Sequence, residues 1–290
     1  MRALAAVCAR KGSETIAHLE PAYVGLIGHF GAQLRKGNAV PTRAGAQVVF
    51  AALCVMGGLG GLGLCAARHF AHAGAVNIGL SSRRGVVMRY AGQELDEWLL
   101  LLCNHSNCMA RVVACDVSDQ QENQLNVPMA MHGTEGVLQV SGTASRAELL
   151  IRMAEPSFES LFAPKARAAG HMLLALLQLP LSSMLMFSSV AAAFDNMGLA
   201  GYAAANAALD SLAWSCRDRS LVASSIQWPQ VRGDAGMGAY GISMGAKPLF
   251  TISLDEFVSC LSRASRTDLS ASWMPWSSTT QELDTQVPLR

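Results

Sequence analysis

Leu53-Cys54-Val55-Met56-Gly57-Gly58-Leu59-Gly60-Gly61-Leu62-Gly63-Leu64 is the stretch on which the fold turns. It reads as a short apolar strand, a glycine turn, and a helix continuing through Ala66, Ala67 and Phe70. Gly58-x-Gly60-x-x-Gly63 within it is the dinucleotide fingerprint. Its glycines let the backbone turn tightly and approach a pyrophosphate, while the helix start presents free N–H groups and the positive end of its dipole. A glycine pattern alone is weak evidence, but here a strand precedes it and an amphipathic helix follows it. Residues 48–67 carry no charge and are long enough to cross a bilayer. Five of those residues, however, are glycines clustered at the turn, which favours strand, turn and helix over a membrane span.

Downstream, Val76-Asn77-Ile78-Gly79-Leu80 reads as the next strand and runs into Ser81-Ser82-Arg83-Arg84-Gly85. A carboxylate at this point would hold a ribose 2′-hydroxyl. A hydroxyl and two guanidiniums suit a 2′-phosphate instead, so the expected cofactor is NADPH, bound by Ser82, Arg83 and Arg84. The alternative for these residues is a solvated basic turn. A third strand over Ala110–Cys115 ends in Asp116-Val117, a pair able to bracket an adenine ring. A fourth, Gly136-Val137-Leu138-Gln139-Val140, ends at Ser141-Gly142. In open parallel sheets, ligands bind outside these carboxyl ends.

Further on, Phe187-Ser188-Ser189 ends an apolar strand, and Tyr202-Ala203-Ala204-Ala205-Asn206 begins a helix. Tyr202 and Asn206, four apart, share a helical face. A serine at a strand end and a tyrosine at a helix start can face one cavity. There the phenol could give a proton to a carbonyl oxygen while the serine hydroxyl holds that oxygen. The plain alternative is a strand-ending Ser pair and a packed Tyr.

These segments together resemble the ketoreductase domain of modular polyketide synthases and animal-type fatty-acid synthases, within the short-chain dehydrogenase/reductase superfamily. The resemblance runs from about Leu53 to Trp228. It is carried by Gly57-Gly58-Leu59-Gly60-Gly61-Leu62-Gly63, Ser82-Arg83-Arg84-Gly85, Asp116-Val117, Ala163-Pro164-Lys165, Phe187-Ser188-Ser189, Tyr202-Ala203-Ala204-Ala205-Asn206-Ala207-x-Leu209-Asp210 and Ser225-Ile226-x-Trp228. It implies an α/β fold, a Rossmann-like doubly wound parallel sheet in a single main domain. It also implies a tetrad of Tyr202, Ser189, Lys165 and Asn206, with Gly57, Gly58, Gly60, Gly61, Leu62, Gly63, Asp116, Val117 and Gly142 at the cofactor. In most of the superfamily the Lys follows the Tyr and the Asn lies upstream. Here Asn206 follows and Lys165 precedes, as in synthase ketoreductases. Read without the resemblance, Lys165 is an ordinary helix-surface lysine. In the tetrad its ammonium is expected to lower the phenol from its usual value near ~10; a shift of ~3 units needs roughly 4 kcal/mol.

The implied reaction is NADPH-dependent reduction of a β-ketoacyl thioester to a β-hydroxyacyl thioester, in polyketide or fatty-acid synthesis. The substrate would ride on the phosphopantetheine arm of an acyl carrier protein, with other synthase domains as further partners. Two alternatives stand: a free-standing reductase of small ketones or alcohols, and a non-catalytic NADPH-binding or scaffold module. The chain departs from the family at Met56 (usually Thr), Val140-Ser141-Gly142 (usually Ala-Ala-Gly) and Pro229-Gln230-Val231 (usually Gly-Pro-Trp). Thr143-Ala144-Ser145-Arg146 lacks the Leu-Asp-Asp of one stereochemical class, and Phe194 stands where the other carries Trp. Product handedness is therefore not readable.

A net charge of +1 gives no case for nucleic-acid or anionic-membrane binding, and 290 residues at 51% hydrophobic allow one large core. Charged residues make up only 15%, which points to an apolar surface packed against another chain or domain. Among the eight cysteines only Cys103-x4-Cys108, with His105 between, forms a cluster. It lacks a second pair, so no metal is expected. Cys54, Cys65 and Cys115 read as reduced core thiols, and His69 and His72 as structural. The expected divisions are an extension over 1–46 (a possible remnant of a preceding domain), the ketoreductase domain over 47–276, and a loose tail over 277–290. Within them fall a helical pattern over 25–34 and a flap over 233–247. A helix over Leu254–Ser262 and a last strand over Ser270–Trp273 would close the fold. Cytoplasmic placement is expected; Glu14 and Glu20 argue against a plastid transit peptide.

Overall fold

The computed structural model describes residues 50–87, 94–122, 133–143, 148–176, 181–194, 198–232, 251–265 and 272–273. The extension, the flap and the tail lie outside them. Seven parallel strands form one sheet in the order β3-β2-β1-β4-β5-β6-β9. They are β1 (Ala52–Met56), β2 (Asn77–Ser82), β3 (Met109–Ala114), β4 (Gly136–Gln139), β5 (Ser183–Ser189), β6 (Ala223–Trp228) and β9 (Ser272–Trp273). A separate parallel pair joins β7 (Gln230–Val231) to β8 (Thr251–Ile252). The order reverses between β1 and β4, so the carboxyl ends of these two strands flank the switch-point crevice of a doubly wound sheet.

Alternation along the strands gives each face its own core. Leu53, Val55, Leu185, Phe187, Ile226 and Trp228 pack with helix α1 (Gly61–His72) and helix α6 (Leu254–Ala264) on one side. Cys54, Met56, Val137, Met184, Met186 and Ala223 face helix α4 (Ala168–Leu176) and helix α5 (Ala200–Arg217) on the other. Both faces are covered, which is why the strands read as continuous apolar runs. Helix α2 (Leu95–Cys103) packs beside α1. It exposes Leu100 and Leu101, next in sequence to the edge strand β3 with its exposed Met109 and Val112. Helix α3 (Glu155–Phe162) continues through a π-helical turn, Ala163–Arg167, into α4.

The uncharged run after residue 50 is strand, turn and helix, and among the described residues no helix is long and apolar enough to cross a membrane. Cys54, Cys65, Cys108, Cys115 and Cys216 are buried thiols, none of them in a disulfide. Among the described residues no group of His, Cys, Asp or Glu could hold a metal ion. His69 meets the Ser262 hydroxyl at 2.9 Å, and His72 packs edge-on against His105, so both have structural employment. The helix expected at Leu254 is present and two residues longer. It opens on a capping box, with Ser253 Oγ accepting from the Glu256 N–H and Glu256 Oε2 from the Ser253 N–H.

Candidate active site

The glycine turn sits at the carboxyl end of β1. Gly57 has φ +76°, and a Cβ there would lie 2.6 Å from the Ser141 Cα, so only glycine permits both the turn and the contact with the end of β4. Gly63 lets α1 pack on the turn, since a Cβ would stand 2.6 Å from the Gly57 carbonyl oxygen. Gly60, the N-cap of α1, is different: a Cβ there would meet only that carbonyl oxygen, at 3.6 Å. No side chain caps α1 and no acidic residue stands in its first turn, so the amides around Gly61 and Leu62 are left for an anion. At the end of β2, Arg83 and Arg84 are exposed and Ser82 Oγ donates to the Val86 carbonyl. Asp116 follows β3 and accepts from both the N–H and the hydroxyl of Ser118, while Val117 is buried in the core. These residues fit a dinucleotide phosphate cradle and its flanks. Met56 is fully buried in the core facing helices α4 and α5, and Ser81 Oγ donates to its sulfur.

The second half of the site is built on β5, α5 and the π-helical turn. Ser189 ends β5, and its Oγ accepts from the Ala191 N–H at 3.2 Å, which leaves its own proton to give. Asn206 is fully buried and donates from Nδ2 to the Tyr202 carbonyl at 2.8 Å. Among the described residues its Oδ1 has no partner at hydrogen-bond geometry, although the Tyr202 hydroxyl is close enough to feel both the Asn206 amide and Ser189. Lys165 is buried, donates to the Phe187 carbonyl at 2.7 Å, and has its Nζ 5.8 Å from the centre of the Tyr202 ring. A Cβ on Gly142 would lie 3.0 Å from the Lys165 Cε, so the end of β4 closes on the lysine stem. Lys165 is thus no surface lysine. The four residues Ser189, Tyr202, Asn206 and Lys165 gather at the carboxyl edge, beside the glycine turn.

Burial pushes the Lys165 ammonium down to about 8, against an upward pull from Asp210. Burial also raises the Tyr202 phenol, opposed by the hydrogen bonds of Ser189 and Asn206. The expectation that Lys165 lowers the phenol is corrected here. The ammonium is directed at the Phe187 carbonyl rather than the phenol oxygen, and desolvation outweighs the hydrogen bonds.

Three parts of the site escaped the sequence reading. Gln139 is buried at the end of β4 and donates to the Pro164 carbonyl at 2.9 Å and, more weakly, to that of Lys165 at 3.4 Å. Its own carbonyl accepts from the Ser141 hydroxyl at 2.6 Å. The signal available was a lone amide inside an apolar strand, where a buried polar group must have a partner. The main-chain carbonyl of Phe187 carries no side-chain signal. Asp210 stood in a quoted motif without a role.

A parallel switch-point sheet with a glycine turn and a Ser/Tyr pair at its carboxyl edge defines a dinucleotide-binding oxidoreductase of the short-chain dehydrogenase/reductase class. The family model described as the KR domain matches residues 51–233, and the chain belongs to that ketoreductase family. It is 35% identical over 215 residues to the spectinabilin polyketide synthase system protein NorB of Streptomyces orinoci, an alignment covering 72% of this chain and 10% of NorB. It superimposes on an A-type ketoreductase from a modular polyketide synthase with TM-score 0.70 and 28% identity, covering 82% of this chain and 50% of that one. An NAD+-bound xylitol dehydrogenase shares the fold (TM-score 0.63, 14% identity, 78% of this chain and 97% of that one). The chain spans about half of the solved polyketide-synthase ketoreductases it matches, and a tenth or less of the length of the synthase proteins.

Proposed function

We propose that the chain reduces a β-ketoacyl thioester to a β-hydroxyacyl thioester with NADPH, as part of polyketide assembly. The observation that carries this reading is the convergence of Ser189, Tyr202, Asn206 and Lys165 on one edge, next to an anion-ready helix start. The cofactor would be held by Gly57, Gly58, Gly60, Gly61, Leu62, Gly63 and Gly142. Ser82, Arg83 and Arg84 would take its 2′-phosphate, and Asp116 and Val117 would flank the adenine. When bound, the reduced nicotinamide supplies a hydride to the carbonyl carbon.

The chain's own residues handle the oxygen. Ser189 Oγ accepts from the Ala191 N–H with one of its two lone pairs, and its O–H would donate to the substrate carbonyl and fix its direction. Tyr202 holds its proton at neutral pH because burial raises the phenol, and it gives that proton to the oxygen as charge develops there. Lys165 and Asn206 would serve the return of a proton to the phenol: Lys165 is anchored on the Phe187 carbonyl, and Asn206 braces the helical turn of Tyr202 through its main-chain carbonyl. The thioester would arrive on a phosphopantetheine arm of an acyl carrier protein, other synthase domains being the wider partners.

The test is NADPH oxidation at 340 nm with acetoacetyl and longer β-ketoacyl thioesters. Tyr202→Phe should lose on the order of 10²–10⁴-fold in turnover with NADPH affinity unchanged. Full turnover in that variant removes Tyr202 as the acid.

A further inference from the structure

Gln139 ends an otherwise apolar strand and is only 1% exposed, yet the reaction above gives it no part. A buried amide needs partners wherever it stands. Those of Gln139 lie at the site. Its Nε2 donates to two successive carbonyls of the π-helical turn, Pro164 at 2.9 Å and Lys165 at 3.4 Å, and its Oε1 accepts from the Ser141 hydroxyl at 2.6 Å. The turn itself is a departure from the α-helix. Pro164 has no N–H to offer the Ser160 carbonyl four residues back. Thr143 Oγ1, from the segment after β4, donates to that carbonyl at 2.8 Å. The Ala168 N–H then reaches back five residues, to the Ala163 carbonyl. One residue of helix is about 100° of rotation, so the widening of this turn decides which way Lys165 faces.

We propose that Gln139 is a positioning residue for Lys165: by holding the carbonyls of the widened turn, it aims the lysine at the Phe187 carbonyl and the face of Tyr202. Neighbouring strands divide the task. Gln139 pairs in register with Met186, one residue before Phe187, whose carbonyl accepts from Lys165 Nζ at 2.7 Å. The main chain of the lysine is thus held from β4 and its tip from β5. Its stem is confined between them, since a Cβ on Gly142 would lie 3.0 Å from the Lys165 Cε. With all three fixed, Nζ stands 5.8 Å from the centre of the Tyr202 ring. The effect on turnover rests on the reductase reading proposed above; the placement of Lys165 does not.

The chain has four lysines (Lys11, Lys36, Lys165 and Lys247) and four tyrosines (Tyr23, Tyr90, Tyr202 and Tyr240). NMR of the full chain, ¹³C-labelled at both residue types, therefore reads the contact between the Lys165 ε-methylene and the Tyr202 ring without any turnover. Lys165→Arg and Tyr202→Phe assign the two signals. Gln139→Met keeps the length of the side chain and removes its donors and acceptor. It is expected to lose the Lys165–Tyr202 cross-peak and to lower kcat on the order of 10–100-fold, while the KM for NADPH holds. A folded Gln139→Met protein that keeps the cross-peak at full strength overturns the proposal. If that variant does not fold, Gln139→Asn, still polar but one methylene too short to span Ser141 and Pro164, is measured for the same cross-peak and judged by the same outcome. An unaltered chain that turns over no keto substrate would remove the reductase reading, and the cross-peak would still decide whether Gln139 places Lys165.

Discussion

Replacing Gly60 by alanine separates the cofactor cradle from the fold. The backbone there is extended (φ −92°, ψ 168°), which any residue adopts, and the added Cβ meets a single atom at ordinary contact distance, 3.6 Å. The cost to folding is the preference of an N-cap for glycine over alanine, at most about 1 kcal/mol. That corresponds to a Tm change of roughly 2–4 °C for a domain of this size. The same methyl occupies the open side of the turn, where a pyrophosphate would approach the α1 amides. Loss of that approach should weaken NADPH by about 100-fold or more, equivalent to about 2.8 kcal/mol. The assay pairs thermal unfolding of the cofactor-free chain with NADPH fluorescence titration. Gly63→Ala is the counter-case. Its Cβ would stand 2.6 Å from the Gly57 carbonyl oxygen and 2.7 Å from the Gly58 Cα, so it should lose roughly 1–3 kcal/mol of stability before any cofactor is added. Wild-type NADPH binding in a well-folded Gly60→Ala protein would refute the assignment of this turn as the phosphate cradle.

Two further outcomes follow from the same geometry. Turnover should fall as pH rises through about 8, where Lys165 loses its proton. Stability should move oppositely: the folded Lys165 binds its proton less tightly than the unfolded lysine. Unfolding free energy therefore rises between about 8 and 10.5, by about 3 kcal/mol over the window. Chemical denaturation across that range checks the sign, and the rise should vanish in Lys165→Met. Replacing both Arg83 and Arg84 by serine should weaken NADPH by roughly 10- to 100-fold and leave NADH nearly untouched; equal losses for both cofactors would show a general charge effect.

The elements carrying the cofactor turn and the Ser/Tyr pair were legible because each announces itself locally. Gly57 to Gly63 combines backbone need with an apolar strand before it, and Phe187–Ser189 changes from apolar to hydroxylic where the strand ends. Strand limits moved by a residue or two, as at β3, which begins at Met109 rather than Ala110. The downward shift expected for Tyr202 failed because it depends on where an ammonium points. That direction is set by the Phe187 carbonyl, which no residue type reveals. Gln139 and Asp210 were missed for a related reason: their partners are distant in sequence, Pro164 in the π-helical turn 25 residues on for Gln139, and Ser225 and Gln227 on β6, 15 and 17 residues on, for Asp210.

Gln139 has a consequence for how such a site can vary. Through Ser141 it touches the bend at Gly57, and through Pro164 it grips the turn that carries Lys165. The glycine turn and the turn that carries Lys165 are thus mounted on one uncharged bracket, indifferent to pH and salt. Neither Pro229 nor Phe194 belongs to that bracket. Positions outside that bracket can therefore change while the glycine turn and the turn that carries Lys165 keep their alignment.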